Sequence, residues 1–320
     1  MATKSPLVVG VDLGGTHMQI GVVDQANLVV GRAKRMTQAE QGRDAVIARI
    51  VEGVEEACAQ AGVRAADIAS VGVGAPGAID LAAGVVLEAP NLRWNNVPLA
   101  QRLSAAVGGR PVLLDNDVNV AVYGENRLGA GAGARDLLGV WIGTGIGGGL
   151  ILNGSLYQGA SGTAGEIGQM VLFPAAPLGS RTLEENCSRR QIIDRLSRLI
   201  RSNRESSLSD KLNESGRLTS SDIAQAYKKG DDLTRRVMDE VADMLSVTIS
   251  GVVTLLGLRR VILGGGLSEE LGQEFADLVA AHARTRVFPK ALQTLEVVAT
   301  KLADDAGLLG AALLAREKYA

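Results

Sequence analysis

Aromatic residues are scarce in this chain of 320 residues, 3% in all, and net charge is nearly absent, −2 at pH 7. Few rings leave few platforms on which unpaired bases could stack, and the near-zero balance gives no general attraction to nucleic acid or to an anionic membrane surface. Neither is an expected partner. No basic segment leads into an apolar stretch at the N-terminus, and no uninterrupted apolar run is long enough to cross a bilayer, so a cytoplasmic location is expected. Cysteine is limited to Cys58 and Cys187, which share no metal-ligand spacing and read as structural thiols. A G-x-x-x-x-G-K-[ST] run is missing, and the glycine clusters follow hairpin strands rather than entering a Rossmann helix.

What is present is a repeat. "VVGVDLGGTHMQIGVVD" near the start returns in degenerate form as "LLGVWIGTGIGGGLILNG". Each copy is a β-branched strand, a Gly/Thr-rich turn and a second apolar strand, a hairpin whose turn backbone can close on a phosphate. The hydrophobic fraction of 46% is ample for the cores of two lobes.

Strands are predicted at 7–12, 18–24 and 28–35, then a helix over about 42–61, and buried strands at 68–75 and 111–114. The last delivers Asp115, Asn116 and Asp117 to its C-terminal end, where ligands sit in open α/β sheets. After the second repeat, 182–203 reads as a helix that loses its period in "SNRESSLSDKLNESGRLTSSD", an exposed connection or a lid. A helix over 231–256 ends at Gly257, a strand at 260–263 runs into Gly264-Gly265-Gly266, and a helix follows Ser268. "DDAGLLGAALLAREK" is a small-residue helix suited to close packing.

In "DLGGT" the glycines permit positive φ and bring N–H groups near an anion, Thr16 adds a hydroxyl, and Asp12 is a suitable hard ligand for magnesium through water. Such a hairpin can equally be no more than a tight turn. Its recurrence as "GTGIGGG", with a third glycine turn before a helix, favours phosphate. In "LLDNDVNVAVYGE" Asp115 and Asp117 leave the extended segment on the side opposite Asn116, and a carboxylate here could take a proton from an alcohol during phosphoryl transfer. Asp117 serves equally well as the N-cap of the helix that follows. Asn91, Glu166, Gln169 and Glu184 offer carboxylates and amides of the kind that bind vicinal hydroxyls, or they are solvated loop residues.

The set "DLGGT", "APNLRW", "DNDVNVAVYGE", "GTGIGGGLILNGSLYQGASGTAGEIG" and "VILGGGL" resembles the ROK family of sugar kinases and repressors, of which bacterial glucokinase is the best-known enzyme. The resemblance spans nearly the whole chain. It implies the actin/hexokinase/Hsp70-like α/β fold, with duplicated ribonuclease H-like domains closing on ATP and a sugar. The lobes are expected at 1–115, with a helix at about 304–320 packing back on it, and at 116–303. By this resemblance Asp117 is the catalytic base, and Gly77, Asn91, Asn116, Glu166, Gln169 and Glu184 line the sugar pocket. Asp12, Gly14, Gly15 and Thr16 form the first phosphate motif, Thr144 and Gly145 the second, and Gly265 with Gly266 the adenosine-side turn. The implied activity is ATP-dependent phosphorylation of a hexose, glucose at its 6-hydroxyl, with Mg2+ near Asp12. N-acetylmannosamine, fructose or a non-catalytic sugar sensor are the alternatives. Relatives are commonly dimers or tetramers, so a homo-oligomer is expected. ROK repressors carry a helix-turn-helix domain ahead of "DLGGT", and the few residues preceding it here argue against a repressor.

One departure from the family is plain. Where relatives carry "GEIGH" and a cysteine-rich zinc loop, this chain has "GEIGQM" and "AAPLGSRTLE". Gln169, Ala175, Pro177 and Thr182 stand at the four ligand positions, so no zinc is expected. Pro174, Pro177 and an Arg181–carboxylate pair are expected to fix the loop instead.

Overall fold

In this computed structural model, which describes residues 7–320, the opening β-branched runs form an antiparallel meander: β1 (Val8–Leu13), β2 (His17–Val23) and β3 (Val29–Met36). The first six residues of the expected 1–115 lobe lie outside the described residues. Helix α1 (Arg43–Gln60) then lays Val46, Ile50, Val54 and Ala57 on the sheet. Strand β4 (Ser70–Ala75) joins parallel to β1, and β8 (Val112–Asn116) parallel to β4, giving the order β3-β2-β1-β4-β8. Every residue of β4 is buried, as a parallel strand covered on both faces requires. Between them lies a small sheet of β5 (Ala78–Asp80), β6 (Val85–Ala89) and β7 (Trp94–Val97), followed by α2 (Leu99–Ala106). Its strands are too short and too interrupted by turns to show a period in the sequence. Helix α3 (Asp117–Leu128) leaves directly from β8.

The second repeat builds a second sheet on the same plan. Strands β9 (Leu137–Ile142), β10 (Ile146–Leu152) and β11 (Ser155–Tyr157) are followed by α4 (Leu183–Cys187), α5 (Arg189–Arg201), α6 (Ser209–Ser215), α7 (Ser220–Lys228) and α8 (Asp232–Leu256). Then come β12 (Arg260–Gly264), α9 (Gly266–Leu271), α10 (Gln273–Arg284) and β13 (Glu296–Ala299). The order is β11-β10-β9-β12-β13, with β12 parallel to both neighbours.

Three expectations are corrected. The 182–203 helix is two helices, because Ser188 takes an extended backbone between α4 and α5. The polar stretch after it is not a bare connection: α6 and α7 bury Leu212, Ile223 and Tyr227, and Thr219 with Asp222 forms a capping box. The third glycine-turn helix starts at Gly266, ahead of Ser268.

The chain divides into two units. The first runs to Gly133 and adds Leu156–Ala164 and Asp304–Ala320; the second is Ala134–Ser155 with Gly165–Ala303. The boundary therefore falls after α3 rather than at Asp115. The reason is α11 (Ala306–Tyr319), whose small residues let backbone pack on backbone within the first unit. A Cβ at Gly310 would lie 1.7 Å from the Val120 carbonyl of α3, and one at Gly72 of β4 would lie 1.9 Å from the Ala311 carbonyl. No side chain fits at either position. Among the described residues no helix is long and apolar enough to cross a membrane.

Candidate functional site

The expected residues fall into two groups, one on each unit. In the first, β1 ends at Asp12 and Leu13, and the turn closes when Gly14 N–H donates to the His17 carbonyl at 3.0 Å. Thr37 braces the turn: its Oγ1 donates to the Gly14 carbonyl at 2.7 Å and its N–H to the Thr16 carbonyl at 2.8 Å. That leaves Gly15 and exposed Thr16 at the apex. Asn91, in the turn after β6, stands beside it, with its Cβ 3.2 Å from where a Cβ on Gly15 would be.

At the end of β8 the chain turns straight into α3, and the three polar residues there take three different roles. Asp115 is buried and accepts from Asn116 N–H (2.7 Å), Asn119 Nδ2 (3.0 Å) and Gln158 Nε2 (2.6 Å). Burial pushes its carboxyl above the usual range against the pull of these donors. It is a structural anchor facing inward. Asn116 is the N-cap, with Oδ1 accepting from Val118 N–H (2.9 Å) and Asn119 N–H (3.2 Å). The cap role weighed for Asp117 belongs to its neighbour, since only the residue before the helix keeps the extended backbone that turns its side chain back on the first turn. Asn116 Nδ2 donates to the Gly77 carbonyl at 3.3 Å, so these two expected residues meet. Gly77 itself has φ 95° and its Cβ position lies 2.0 Å from the Glu88 carbonyl, so only glycine serves. Asp117 is the first residue of α3, half-buried, with Oδ1 accepting from Val118 N–H at 2.9 Å. A carboxylate there lies at the positive end of the helix dipole.

In the second unit, Gly143 N–H donates to the Gly145 carbonyl at 2.9 Å to close the repeated turn. Its brace is charged. Glu184, at the start of α4, accepts from Ile146 N–H through Oε2 at 2.7 Å, and that oxygen lies 2.3 Å from where a Cβ on Gly145 would be. Arg189 donates through Nη2 to Thr144 Oγ1 at 3.1 Å. Glu184, expected at the sugar, thus also packs on the expected phosphate turn. Glu166 is an exposed residue but lies within its field: partial desolvation first, and then the Glu184 charge, raises the Glu166 carboxyl above the usual range. Gln169 is exposed in the one-turn helix 167–169. Gly265, at φ 87°, packs on the end of β9, where a Cβ would lie 2.6 Å from the Ile142 carbonyl. Its N–H is capped by Glu269 Oε1 at 3.2 Å. The Gly266 Cβ position is open.

The loop before α4 is held by residues the sequence reading missed. Glu185 Oε2 accepts from Arg181 N–H (2.6 Å) and Thr182 N–H (2.9 Å), and Asn186 Nδ2 donates to the Ser180 and Thr182 carbonyls. Arg181 donates through Nε to the Ala176 carbonyl at 2.6 Å rather than pairing with a carboxylate. The Thr182-x-x-Glu185 capping box was the legible signal.

A cavity of about 1090 Å³ opens in the second unit beside this loop, lined in part by Glu185, Asp194, Arg195, Asp239, Asp243 and His282. None of the expected site residues lines it. Its carboxylates are committed, Asp239 and Asp243 to His282 at 3.0 and 3.1 Å, Asp194 to Arg190 at 3.8 Å and Glu240 to Arg195.

For a metal, the described residues contain no group of three or more His, Cys, Asp and Glu side chains able to hold an ion. Asp12 alone, beside a glycine turn, suits magnesium carried in with phosphate oxygens, which needs only one or two carboxylates.

The described geometry has close counterparts. A family model described as "ROK family" matches residues 8–318. The glucokinase of Thermotoga maritima is 34% identical over 316 residues, 97% of this chain and 98% of that protein. The xylose repressor of Caldicellulosiruptor bescii is 27% identical over 307 residues, 95% of this chain and 76% of that protein. The crystal structure of a ROK family glucokinase from Streptomyces griseus in complex with glucose and AMPPNP matches at 30% identity with a TM-score of 0.86, covering 97% of this chain and 99% of that one. The α/β architecture with mixed sheets is that of the actin/hexokinase-like class.

Proposed function

This chain belongs to the ROK family and is a sugar kinase, and we propose that its substrate is glucose, phosphorylated at the 6-hydroxyl with ATP in the cytoplasm. The observation that carries the reading is the β8–α3 junction. There Asp117 is the first helical residue, and Asn116, tied to the Gly77 carbonyl, fixes the turn that presents it.

In this proposal Asp117 accepts the proton of the 6-hydroxyl as that oxygen gains its phosphoryl group. One Asp117 oxygen accepts from Val118 N–H, which holds the carboxylate in one orientation. Asn116 keeps one Nδ2 proton beyond its bond to Gly77, and Asn91 carries a second amide; both donate to sugar hydroxyls, with the Gly77 backbone alongside. Glu166 and Glu184 accept from further hydroxyls, and Gln169 stands ready as donor or acceptor. Gly14, Gly15 and Thr16, with Thr144 and Gly145, take the phosphates, and Gly265 and Gly266 take the adenosine side. Magnesium, held by Asp12 together with phosphate oxygens, would supply charge neutralisation on the transferring group.

The test is a coupled ADP-release assay over a panel of hexoses and amino sugars, repeated with Asp117→Asn. Glucose is expected to give the highest kcat/KM, and Asp117→Asn to lower kcat by on the order of 10²-fold or more with sugar binding retained. A higher kcat/KM for N-acetylmannosamine or fructose would overturn the substrate. Sugar binding without turnover would instead favour a sensor, a reading supported by the match to a xylose repressor.

A further inference from the structure

The segment 170–181, between the one-turn helix 167–169 and Thr182, has few of the usual means of staying in place. It contains no Asp, Glu, His or Cys, and its β-pairing among the described residues is the bridge of Val171 with Thr182. Leu172 packs on the core, but Met170, Val171, Phe173 and Leu178 are exposed, the last by 85%. A segment that buries so little apolar surface is ordered by its hydrogen bonds or opens easily.

Those bonds converge on the start of α4. Leu183 N–H donates to the Met170 carbonyl at 2.9 Å, and Leu172 N–H and Phe173 N–H donate to the Arg181 carbonyl at 2.8 and 3.1 Å, so the two ends of the segment are drawn together. One side chain closes the junction. Glu185 Oε2 accepts from Arg181 N–H at 2.6 Å and Thr182 N–H at 2.9 Å, and Glu185 N–H returns a bond to Thr182 Oγ1 at 3.3 Å. The backbone donors, Thr182 first and then Arg181, hold the Glu185 carboxyl below its usual range, so it is a full charge at neutral pH. Glu184, its neighbour on the helix, faces another way and reaches Ile146 N–H at 2.7 Å.

We propose that Glu185 is a positioning residue for the sugar wall of the second unit. By closing 170–181 onto α4 it fixes the place of Glu184 on one side of the junction and of Glu166 and Gln169 on the other. The spacing of those three groups then sets which hydroxyls they can meet. Glu185 itself touches no substrate. The proposal rests on the reading of the three residues as sugar ligands, and its structural half can be measured without any sugar.

The experiment is amide hydrogen exchange on the whole chain in the absence of substrate, followed by kinetics on the same variants. Glu185→Ala should speed exchange about tenfold at Arg181, Thr182 and Leu183 and also at Ile146, whose acceptor is Glu184, while Ile262 in the buried strand β12 keeps its protection. A purely local role in the loop would leave Ile146 untouched. In turnover, KM for glucose should rise about tenfold with kcat at saturation within about threefold, the split expected when binding is lost and the chemistry is not. Glu185→Gln, which keeps a neutral acceptor, should fall between wild type and Glu185→Ala at about threefold in each readout, and it carries the test if Glu185→Ala does not fold. Wild-type protection at Ile146 in every folded variant would overturn the proposal. So would equal loosening at Ile262, which marks a general loss of stability. Loosening at Ile146 with an unchanged KM for glucose would support the positioning and overturn the assignment of Glu184 to the sugar.

Discussion

The two sheets run in the same order, a three-strand meander followed by two parallel strands, yet the turns of their matching hairpins are braced by different chemistry. The β1–β2 turn is held by neutral groups, Thr37 on two carbonyls and Asn91 against Gly15. The β9–β10 turn is held by charged ones, Glu184 on Ile146 N–H and Arg189 on Thr144. The parallel strands diverge too. Both β4 and β12 lead into a glycine of positive φ, Gly77 and Gly265, but β8 ends at Asn116 and runs into Asp117, whereas β13 runs into Thr300 and Lys301. The two sheets share a frame, and the chemistry proposed for the chain falls where the copies differ.

The largest effect expected from this contrast concerns how each sheet is covered. Against β4 the obstacle is the α11 backbone, 1.9 Å from a Cβ at Gly72, and a helix backbone cannot step aside. At Gly264 of β12 the nearest obstacle is not a helix backbone but a side chain, the ring of its cross-strand neighbour Trp141 on β9, 2.4 Å away. Gly72→Ala should cost more than about 4 kcal/mol, while Gly264→Ala should cost about 1–3 kcal/mol. Urea unfolding of both variants checks this, and equal losses would remove the distinction. Next in size is Asp117→Asn, already given at about 10²-fold in kcat. If the functional asymmetry lies at the fifth strand, Lys301→Ala after β13 should change kcat far less in the same assay.

A smaller and more local difference is expected at the two turns. A methyl at Gly145 meets Glu184 Oε2 at 2.3 Å and must displace the carboxylate from Ile146 N–H, whereas one at Gly15 meets Asn91 Cβ at 3.2 Å and needs only a slight shift. Gly145→Ala should lose about tenfold in kcat/KM for the phosphoryl donor and Gly15→Ala no more than about threefold. Steady-state kinetics on the two proteins decide it; the reverse order would place the tighter turn in the first unit.

How much of this was visible beforehand follows from range. Continuous apolar runs in β1, β4 and α11, and one-faced apolar patterns in β2, β3, α1 and α8, marked these elements within a residue or two. The small sheet β5–β7 and the break at Ser188 were hidden, since strands of three to five residues carry no period and an isolated extended serine carries no signal. At the site, the residue types of the β8–α3 junction were legible, but their division of labour was not. That Asp115 turns inward depends on Gln158, forty-three positions away, and that Glu184 braces the second turn depends on its contact with Ile146, thirty-eight positions away. Such pairings are set by tertiary packing, to which neighbouring residues in the chain give no clue.

The finest consequence of the charged brace is electrostatic. Glu166 is raised by partial desolvation and then by Glu184, so the folded chain holds its proton more tightly than the unfolded chain does. Its contribution to stability is therefore full below the ordinary value of 4.5 and is lost as pH rises through the raised folded value. Glu184→Gln removes the second cause and leaves the first, and the amide oxygen can still accept from Ile146 N–H. The Glu166 midpoint should fall part of the way back, remaining above 4.5, and the pH window over which that stability is lost should narrow from its upper edge. Carboxyl NMR titration of Glu166 reads this directly. Thr37→Val, which strips the neutral brace from the other turn, should leave the Glu166 midpoint where it is. An unchanged or rising midpoint in Glu184→Gln would mean that desolvation alone sets Glu166, and that the second turn's charge stays local to Ile146.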